Sequence, residues 1–333
     1  MITIEPLHFP WQTKDPFLFC AFHKDDYPKG DGEMGVSVSL EGRSSGSDFS
    51  GKDGFSMYHG NRVPGFPAHP HRGFETITIA EQGMVDHSDS LGSAGRFGNG
   101  DVQWMTAGKG VQHSEMFPLL NDQEPNPLVL FQIWLNLPKV NKMVAPHFSM
   151  LWHEDIPVVL HNDEKGNKTN VKIVCGTYQN TENPSPAPNS WAANPLNEVA
   201  IWVIEMEANA IWRIPKIENK INRSLYYYEG NQVFIDDTSV SSDHMVVLDS
   251  TIETVIQNGE QPSKFLLLQG KPLNETVAKY GPFVMNTNKE IQEAMVEYQY
   301  SQFGGWPWDA PDHTHEKGKG RFALHADGRE EKR

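Results

Sequence analysis

The residues whose types and spacing most clearly suit a chemical role are two pairs of side chains that could bind a metal. His69 and His71 stand two positions apart, so on an extended chain both imidazoles lie on one face, about 7 Å apart at the backbone. His113 and Glu115 repeat this spacing with one imidazole and one carboxylate. Neutral imidazoles and carboxylates bind divalent transition metals. The four residues therefore predict one mononuclear site with three nitrogen ligands and one oxygen ligand, which leaves up to two open positions on an octahedral ion.

The donor set does not identify the ion. Iron(II) suits nitrogen and oxygen ligands with open positions, but Zn, Mn, Ni, Co or Cu would also be accepted. Two roles are open for Glu115, which we take as both a metal ligand and the candidate catalytic residue. It either compensates the charge of the ion, which we favour, or leaves the ion to take a proton from a substrate hydroxyl.

Glu75 is a competing ligand, because it shares strand parity with His69 and His71. In a straight strand of ~3.3 Å per residue it would lie about 20 Å from His69, too far to reach the same ion. We therefore expect Glu75 to support the site from outside the ligand set or to form an ion pair, with Arg72 as the candidate partner.

Other suggestive residues favour ordinary structural roles. His87, within Asp86-His-Ser-Asp-Ser90, is expected to orient a loop near the site rather than to bind the metal. His313 and His315 lie in a Gly- and Lys-rich segment and are expected to be solvated. Three large apolar residues are candidates for lining an aromatic pocket but are more often core: Phe55, Trp104 and Met116.

The elements that position these residues are predicted to be β-strands. The chain contains short apolar or alternating runs bounded by Gly, Pro, Asn and Asp, a pattern typical of an all-β sandwich or barrel. The two halves look like variants of one barrel. We predict an N-terminal barrel with the metal site (1–160), a C-terminal barrel without metal that ends in a helix (161–299), and an arm or tail (300–333). The helix begins at a capping box of Thr287 and Glu290. The predicted strands are 35–40, 74–80, 102–106, 128–135, 171–175, 199–206, 224–228, 245–249 and 265–269.

Composition excludes several classes of protein. The 333 residues are 38% apolar, which supports a substantial core, and 43 acidic against 28 basic residues give a formal charge of −15. This charge opposes direct binding to nucleic acid. Two cysteines are too few for a disulfide framework, and no apolar run approaches the ~20 residues that span a bilayer. We expect a cytoplasmic protein without a membrane partner.

Four motifs carry a resemblance to a known family. They are His69-Pro-His-Arg-Gly-Phe-Glu-Thr76, Asp86-His-Ser-Asp-Ser90, the run from Gly100 to Glu115, and Tyr280-Gly-Pro-Phe-Val-Met-Asn-Thr287. Together they resemble the pirin family of the cupin superfamily. The resemblance implies a bicupin fold of two jelly-roll-type barrels, with iron held in the N-terminal barrel by the four residues named above. It also implies quercetin 2,3-dioxygenase activity and, for animal members, transcriptional co-regulation. The chain departs from the family by a Pro-rich insertion around 181–197 and by its tail after Gln302.

Two functions follow from different classes of protein. The first, which we favour, is a dioxygenase that cleaves quercetin, another flavonol or a related enolisable aromatic substrate with molecular oxygen. The second is a metal-containing regulator that senses redox state or binds a protein partner without turnover of its own.

Overall fold

The computed structural model of the chain describes residues 2–181 and 183–333. Strands make up 44% of the chain, and the described residues contain one α-helix, which confirms the all-β prediction. Contacts divide the chain into two compact units that interleave in sequence. One unit comprises the chain up to Cys20 together with His153–Asn274, and the other comprises Ala21–Trp152 together with Glu275–Arg333.

The unit that carries the two ligand pairs is built from two main sheets. The first has the strand order β10-β7-β4-β9-β2, and the second has the order β24-β23-β6-β5-β8-β3. A β21-β22 pair and the helix α1 complete it. The elements are β2 (Phe17–Tyr27), β3 (Gly65–His71), β4 (Phe74–Gln82), β5 (Met84–Asp89), β6 (Ala94–Gly98), β7 (Val102–Thr106), β8 (Val111–Met116), β9 (Asn126–Asn136), β10 (His147–Leu151), β21 (Ala278–Tyr280), β22 (Phe283–Met285), α1 (Asn288–Ser301), β23 (Phe322–Leu324) and β24 (Glu330–Lys332).

The other unit pairs a seven-stranded sheet, β1-β18-β15-β20-β13-β12-β11, with a four-stranded sheet, β14-β19-β16-β17. Large apolar side chains such as Trp202, Trp212 and Phe265 form its core. Its strands are β1 (Thr3–Pro6), β11 (Val158–Asn162), β12 (Lys168–Cys175), β13 (Ala200–Met206), β14 (Ile211–Ile214), β15 (Asn222–Glu229), β16 (Gln232–Ile235), β17 (Thr238–Ser241), β18 (His244–Val247), β19 (Thr254–Asn258) and β20 (Ser263–Gly270).

Eight of the nine predicted strands overlap observed strands, and the predicted helix is confirmed as α1. Its capping box is complete, because the Thr287 side chain accepts from the Glu290 backbone while the Glu290 side chain accepts from the Thr287 backbone. The strand predicted at 35–40 is wrong. That segment is irregular; Val36 and Leu40 pack on the core from a loop, whereas Val38 is 46% exposed.

The predicted domain limits 1–160, 161–299 and 300–333 stay predictions of where folding domains end. The compact units place the C-terminal segment beyond Asn274 with the barrel that contains His69 and His113. In that segment Phe322 and Ala323 are buried, and β23 adds to the sheet beside β6. The segment therefore forms part of the wall of the barrel that carries the ligand pairs.

Candidate metal centre

Strands β3 and β8 bring the two ligand pairs together. They run antiparallel, with His69 opposite His113 and Phe66 opposite Glu115, and the register shifts between these two rungs. Residues directly opposite each other in a ladder point to the same face. The shift, a β-bulge at Pro67 and Ala68, absorbs one extra residue of β3. All four predicted ligands consequently share one face of the six-stranded sheet.

The three histidines predicted as ligands converge on a small volume, and Glu115 lies beside that group rather than within it. One ring nitrogen from each of His69, His71 and His113 lies within 4.8 Å of the others. The Oε2 atom of Glu115 lies 3.9 Å from Nε2 of His113. Separations of this size fit side chains that surround a single ion, whose bonds to nitrogen and oxygen are each about 2 Å long.

Burial prepares the imidazoles to be ligands. His113 is fully buried and His71 nearly so, and burial holds the pKa of each well below its usual value. Burial likewise lowers the pKa of the partly exposed His69, to about 4. At neutral pH all three rings are therefore uncharged and can offer a lone pair. Burial also raises the pKa of Glu115, although a hydrogen bond from Thr78 opposes that shift.

Unpartnered polar atoms test whether a metal ion fits. Neither ring nitrogen of His113, and not Nδ1 of His71, has a hydrogen-bond partner within the described part of the chain. The Nδ1 atom of His69 lies 2.8 Å from the carbonyl oxygen of Pro67, which can only accept, so Nδ1 carries the hydrogen and Nε2 is free to bind a metal. Buried polar atoms without partners are costly. A divalent ion bound by three imidazoles and one carboxylate would give one ring nitrogen of each histidine a partner, and the second nitrogen of His113 would stay without one among the described residues.

Glu75 takes a different place from the one that a straight strand would give it. Gly73, with φ of +86°, turns the chain between β3 and β4, which belong to different sheets. Glu75 is fully buried on β4 and accepts a hydrogen bond of 2.7 Å from Thr106. The expected ion pair with Arg72 is wrong, because Arg72 reaches Glu297 on α1 at 2.8 Å. The sequence did not show this partner, which lies more than 200 residues away.

The three other histidines considered in the sequence analysis are one neighbour of the centre, His87, and two residues of the C-terminal segment, His313 and His315. The ring of His87 lies 5.5 Å from that of His113, and its Nε2 lies 3.3 Å from Asp89. The expectation of a solvated His315 is wrong. Its backbone donates to Asp86 at 2.8 Å, its Nε2 lies 3.0 Å from the carbonyl of His87, and it is 6% exposed. His313 is partly buried, 4.9 Å from the ring of Trp308.

Phe55, Trp104 and Met116 are buried, as expected for core residues. Sequence reasoning missed the aromatic rings that do flank the ligands. Trp134 lies 5.4 Å from the ring of His71, and Phe66 lies 6.4 Å from that of His69, and both are partly exposed. Phe66 lies on the strand that carries the first motif, whereas Trp134 lies on β9, outside all four motifs, so no sequence signal marked it.

Two polar residues across the barrel were also missed. Thr78 Oγ1 lies 2.6 Å from Glu115 Oε1 and 2.6 Å from Gln132 Oε1. Both residues belong to the five-stranded sheet, so their meeting with Glu115 depends on how the two sheets face each other. No sequence spacing encodes that contact.

Comparisons with known proteins cover most of the chain. The family model described as Pirin matches residues 11–135, and the model described as Pirin C-terminal cupin domain matches residues 201–304. A pirin-like protein of Solanum lycopersicum is 34% identical over 271 residues, which cover 76% of this chain and 80% of that protein. Pirin of Mus musculus is 31% identical over 272 residues, which cover 75% and 81%.

A solved structure agrees with these matches. The crystal structure of quercetin 2,3-dioxygenase from Acinetobacter baumannii is 29% identical and superposes with a TM-score of 0.68, covering 87% of this chain and 86% of that one. Among the residues that the structure describes, no helix combines the length and apolar character needed to cross a bilayer.

Proposed function

The chain belongs to the pirin family of bicupin proteins, and from this premise we propose that it is a mononuclear metal-dependent dioxygenase that cleaves quercetin, another flavonol or a related enolisable aromatic substrate. The observation that carries the proposal is the buried set of three histidines with unpartnered ring nitrogens, next to Glu115 and beside two partly exposed aromatic rings. The likeness to a quercetin 2,3-dioxygenase structure supports the same activity.

In this proposal His69, His71, His113 and Glu115 hold the ion, and iron(II) is the first choice. When bound, such an ion supplies Lewis acidity and the one-electron chemistry that lets a closed-shell organic substrate react with dioxygen. The three histidines bind as neutral donors, and their burial keeps them neutral at physiological pH. Glu115 adds one negative charge, which offsets part of the charge of the ion inside the barrel.

The partly exposed side of the centre suggests how a substrate enters. His69 is the one proposed ligand that is not fully buried, and Phe66 lies next to it on β3. The ammonium of Lys279 lies over the ring of Trp134, and Phe66 is stacked on Tyr58. In this proposal a planar aromatic substrate packs against the parts of the two rings that stay exposed. We infer that the substrate approaches past His69, with its oxygen functions toward the ligands and its ring system against these two side chains.

Glu115 has the alternative role of accepting the proton of a substrate hydroxyl. Replacing Glu115 with Gln keeps the size of the side chain and removes its basicity. If Glu115 acts as a base, Glu115→Gln keeps its metal but loses turnover. A variant that keeps both its metal and its full turnover rules the base role out and leaves charge compensation.

We also propose the cytoplasm as the site of action and expect no direct binding to nucleic acid. Both cysteines, Cys20 and Cys175, are free thiols, which suits a reducing compartment. The formal charge of −15 disfavours a phosphate backbone as a partner.

The decisive experiment combines metal analysis with oxygen uptake. The protein is purified without oxygen, its metal content is measured, and oxygen consumption with quercetin is compared between wild type, His113→Ala and His8→Ala. We expect about one equivalent of metal and uptake in the wild type and in His8→Ala, an exposed control, and loss of both in His113→Ala. Bound metal without uptake would overturn the enzyme proposal and favour the redox-sensing or partner-binding regulator.

A further inference from the structure

A cross-barrel hydrogen bond holds one oxygen of the proposed carboxylate ligand. Thr78 lies on β4 of the five-stranded sheet and Glu115 on β8 of the six-stranded sheet, and 2.6 Å separates Thr78 Oγ1 from Glu115 Oε1. Both side chains are buried. Thr78 therefore links the opposite sheet to the proposed carboxylate ligand by a hydrogen bond.

Counting hydrogens fixes the direction of this bond. A carboxylate that binds a metal is ionised and can only accept hydrogen bonds, so Thr78 must donate its single hydroxyl hydrogen to Glu115. Gln132, the residue opposite Thr78 on β9, also lies 2.6 Å from Thr78 Oγ1 through its Oε1. Two acceptors cannot share one hydrogen at full strength. The charged carboxylate is the stronger acceptor, so the hydrogen of Thr78 goes to Glu115. Gln132 also hydrogen-bonds Glu115 itself, and because only its Nε2 can donate to a carboxylate, its Oε1 is the atom that faces Thr78.

This orientation leaves the two carboxylate oxygens unequal. Oε1 is occupied by Thr78, whereas Oε2 lies on the side of the histidines, 3.9 Å from His113 Nε2. We propose that Thr78, acting together with Gln132, is a positioning residue that reserves Oε1 and makes Glu115 a ligand through Oε2 alone. One coordination position is then kept open for the substrate. The inference rests on the proposed metal site but not on the proposed reaction.

The chain supplies a matched control. Thr106 donates to Glu75 Oε1 at 2.7 Å, and both side chains are buried, as in the Thr78–Glu115 pair. Glu75 and Thr78 are three residues apart on β4, so their side chains point to opposite faces of the strand. Removing the Thr106 hydroxyl thus perturbs an equally buried Thr–Glu pair on the face turned away from the metal centre.

The test uses cobalt(II) as the metal, since its visible absorption reports the number of ligands. Thr78→Val, Thr78→Ser and Thr106→Val are compared with the wild type for affinity, by competition with a chelator, and for the visible spectrum. Loss of a partner that orients a ligand commonly lowers metal affinity about 10- to 100-fold. We expect such a loss in Thr78→Val, together with weaker visible bands as Glu115 binds through both oxygens. Thr78→Ser keeps the hydroxyl and restores both properties, and Thr106→Val leaves both unchanged.

Several outcomes would overturn the inference. They are an unchanged affinity and spectrum in Thr78→Val, an equal loss in Thr106→Val, or no rescue by Thr78→Ser. If Thr78→Val does not fold, Gln132→Leu takes its place, and it should shift affinity and spectrum in the same direction by a smaller amount. If the folded wild-type protein binds no cobalt, both the proposed metal site and this inference are wrong. If the protein binds cobalt but the iron-loaded protein shows no quercetin-dependent oxygen uptake, only the proposed reaction is wrong.

Discussion

If the proposed aromatic substrate binds beside the histidines, Trp134 is a side chain that contacts it. It packs beside His71 and Phe74, with ring centroids 5.4 Å and 4.2 Å away, and remains partly exposed. An aromatic contact contributes about 0.5–1.5 kcal/mol beyond the area it buries. We therefore expect Trp134→Ala to raise the KM for quercetin roughly 2- to 10-fold.

Metal content should not change in Trp134→Ala, because Trp134 is not a ligand. Trp191→Ala serves as the control, since Trp191 lies in the other compact unit and donates to the carbonyl of Lys271. An unchanged KM in Trp134→Ala, or an equal rise in Trp191→Ala, would contradict the assignment of Trp134 to the substrate site.

His23 gives the stability of the metal-free protein a dependence on pH. It is buried next to Tyr58, and burial lowers its pKa from about 6.5 to about 4. Between these values the unfolded chain binds a proton that the folded chain excludes, so stability is complete above the unfolded pKa and falls as the pH drops. Asp25 acts in the opposite sense, because burial raises its pKa to about 6 and the folded state then gains protons as the pH falls through that value.

We expect His23→Gln to remove the contribution of His23 while Asp25 remains. The decline in unfolding free energy between pH 7 and pH 5 then becomes shallower, by at most about 1.4 kcal/mol per pH unit. Urea unfolding at several pH values measures this, with His153→Gln as an exposed control. A slope that stays as steep in His23→Gln as in the wild type would count against the depressed pKa.

At the residue scale, the sequence predicted the contacts that follow from the two-residue alternation of side chains along a strand. It placed His69 with His71 and His113 with Glu115 because alternate residues of a strand share a face. It did not reveal Thr78 or Gln132, since their contact with Glu115 follows from the facing of two sheets. Nor could alternation indicate that Arg72 would pair with Glu297, because helix α1 reaches the strand only in the folded chain.

At the element scale, the turn between β3 and β4 determines where the first ligand pair lies. Gly73 has φ of +86°, and a Cβ atom there would lie 2.0 Å from the carbonyl oxygen of Val284. Gly92 in the β5–β6 connection has φ of +81° but no atom within 4 Å of the same position. Any other residue would therefore strain the backbone at both positions, and a side chain at Gly73 would also clash with Val284.

We expect Gly92→Ala to lower the unfolding free energy by about 1–2 kcal/mol, the cost of an alanine in a left-handed conformation. Gly73→Ala should lose roughly 2 kcal/mol more, as overpacking against a backbone atom adds to that strain. Denaturant unfolding of both variants measures the difference. Equal losses would mean that the backbone around Val284 yields, and that the turn is not held by close packing.

The same turn explains why the strand positions could be predicted but not their grouping. Runs such as 74–80 and 102–106 are apolar or alternating and predict strands directly. Backbone geometry sets the bulge at Pro67 and Ala68 and the turn at Gly73, and the residue pattern does not show either. Glu75 was therefore predicted on a straight continuation of β3. The straight-strand estimate misplaced Glu75 in space, and its exclusion from the ligand set stays a prediction.

At the scale of the whole molecule, the C-terminal segment was the least predictable part. Its Gly, Lys and His content indicated a solvated tail, yet Arg96 binds it from the barrel wall. Composition counts charges but cannot show that one buried guanidinium has its acceptors in a distant segment. Arg96 also forms a bidentate ion pair with Asp86, at 2.6 Å and 2.7 Å, and both residues are fully buried.

The geometry of Arg96 leads to a prediction about how the C-terminal segment is held. Its guanidinium donates to the carbonyl oxygens of His315 at 3.0 Å, Glu316 at 2.9 Å and Lys319 at 2.7 Å. A lysine keeps the charge, and with it the attraction to Asp86, but lacks the planar fork that reaches several acceptors at once. We expect Arg96→Lys to leave the barrel folded and to release the segment.

Limited digestion with trypsin measures the release, because Lys317, Lys319 and Arg321 are cleavage sites inside the segment. Cleavage there should become at least several-fold faster in Arg96→Lys, whereas Arg213→Lys, which alters an exposed pair with Glu253, should digest like the wild type. Faster cleavage follows because proteolysis tracks the population of the open form. If Arg96→Lys resists trypsin as well as the wild type does, the strand pairing of β23 with β6 holds the segment without the arginine.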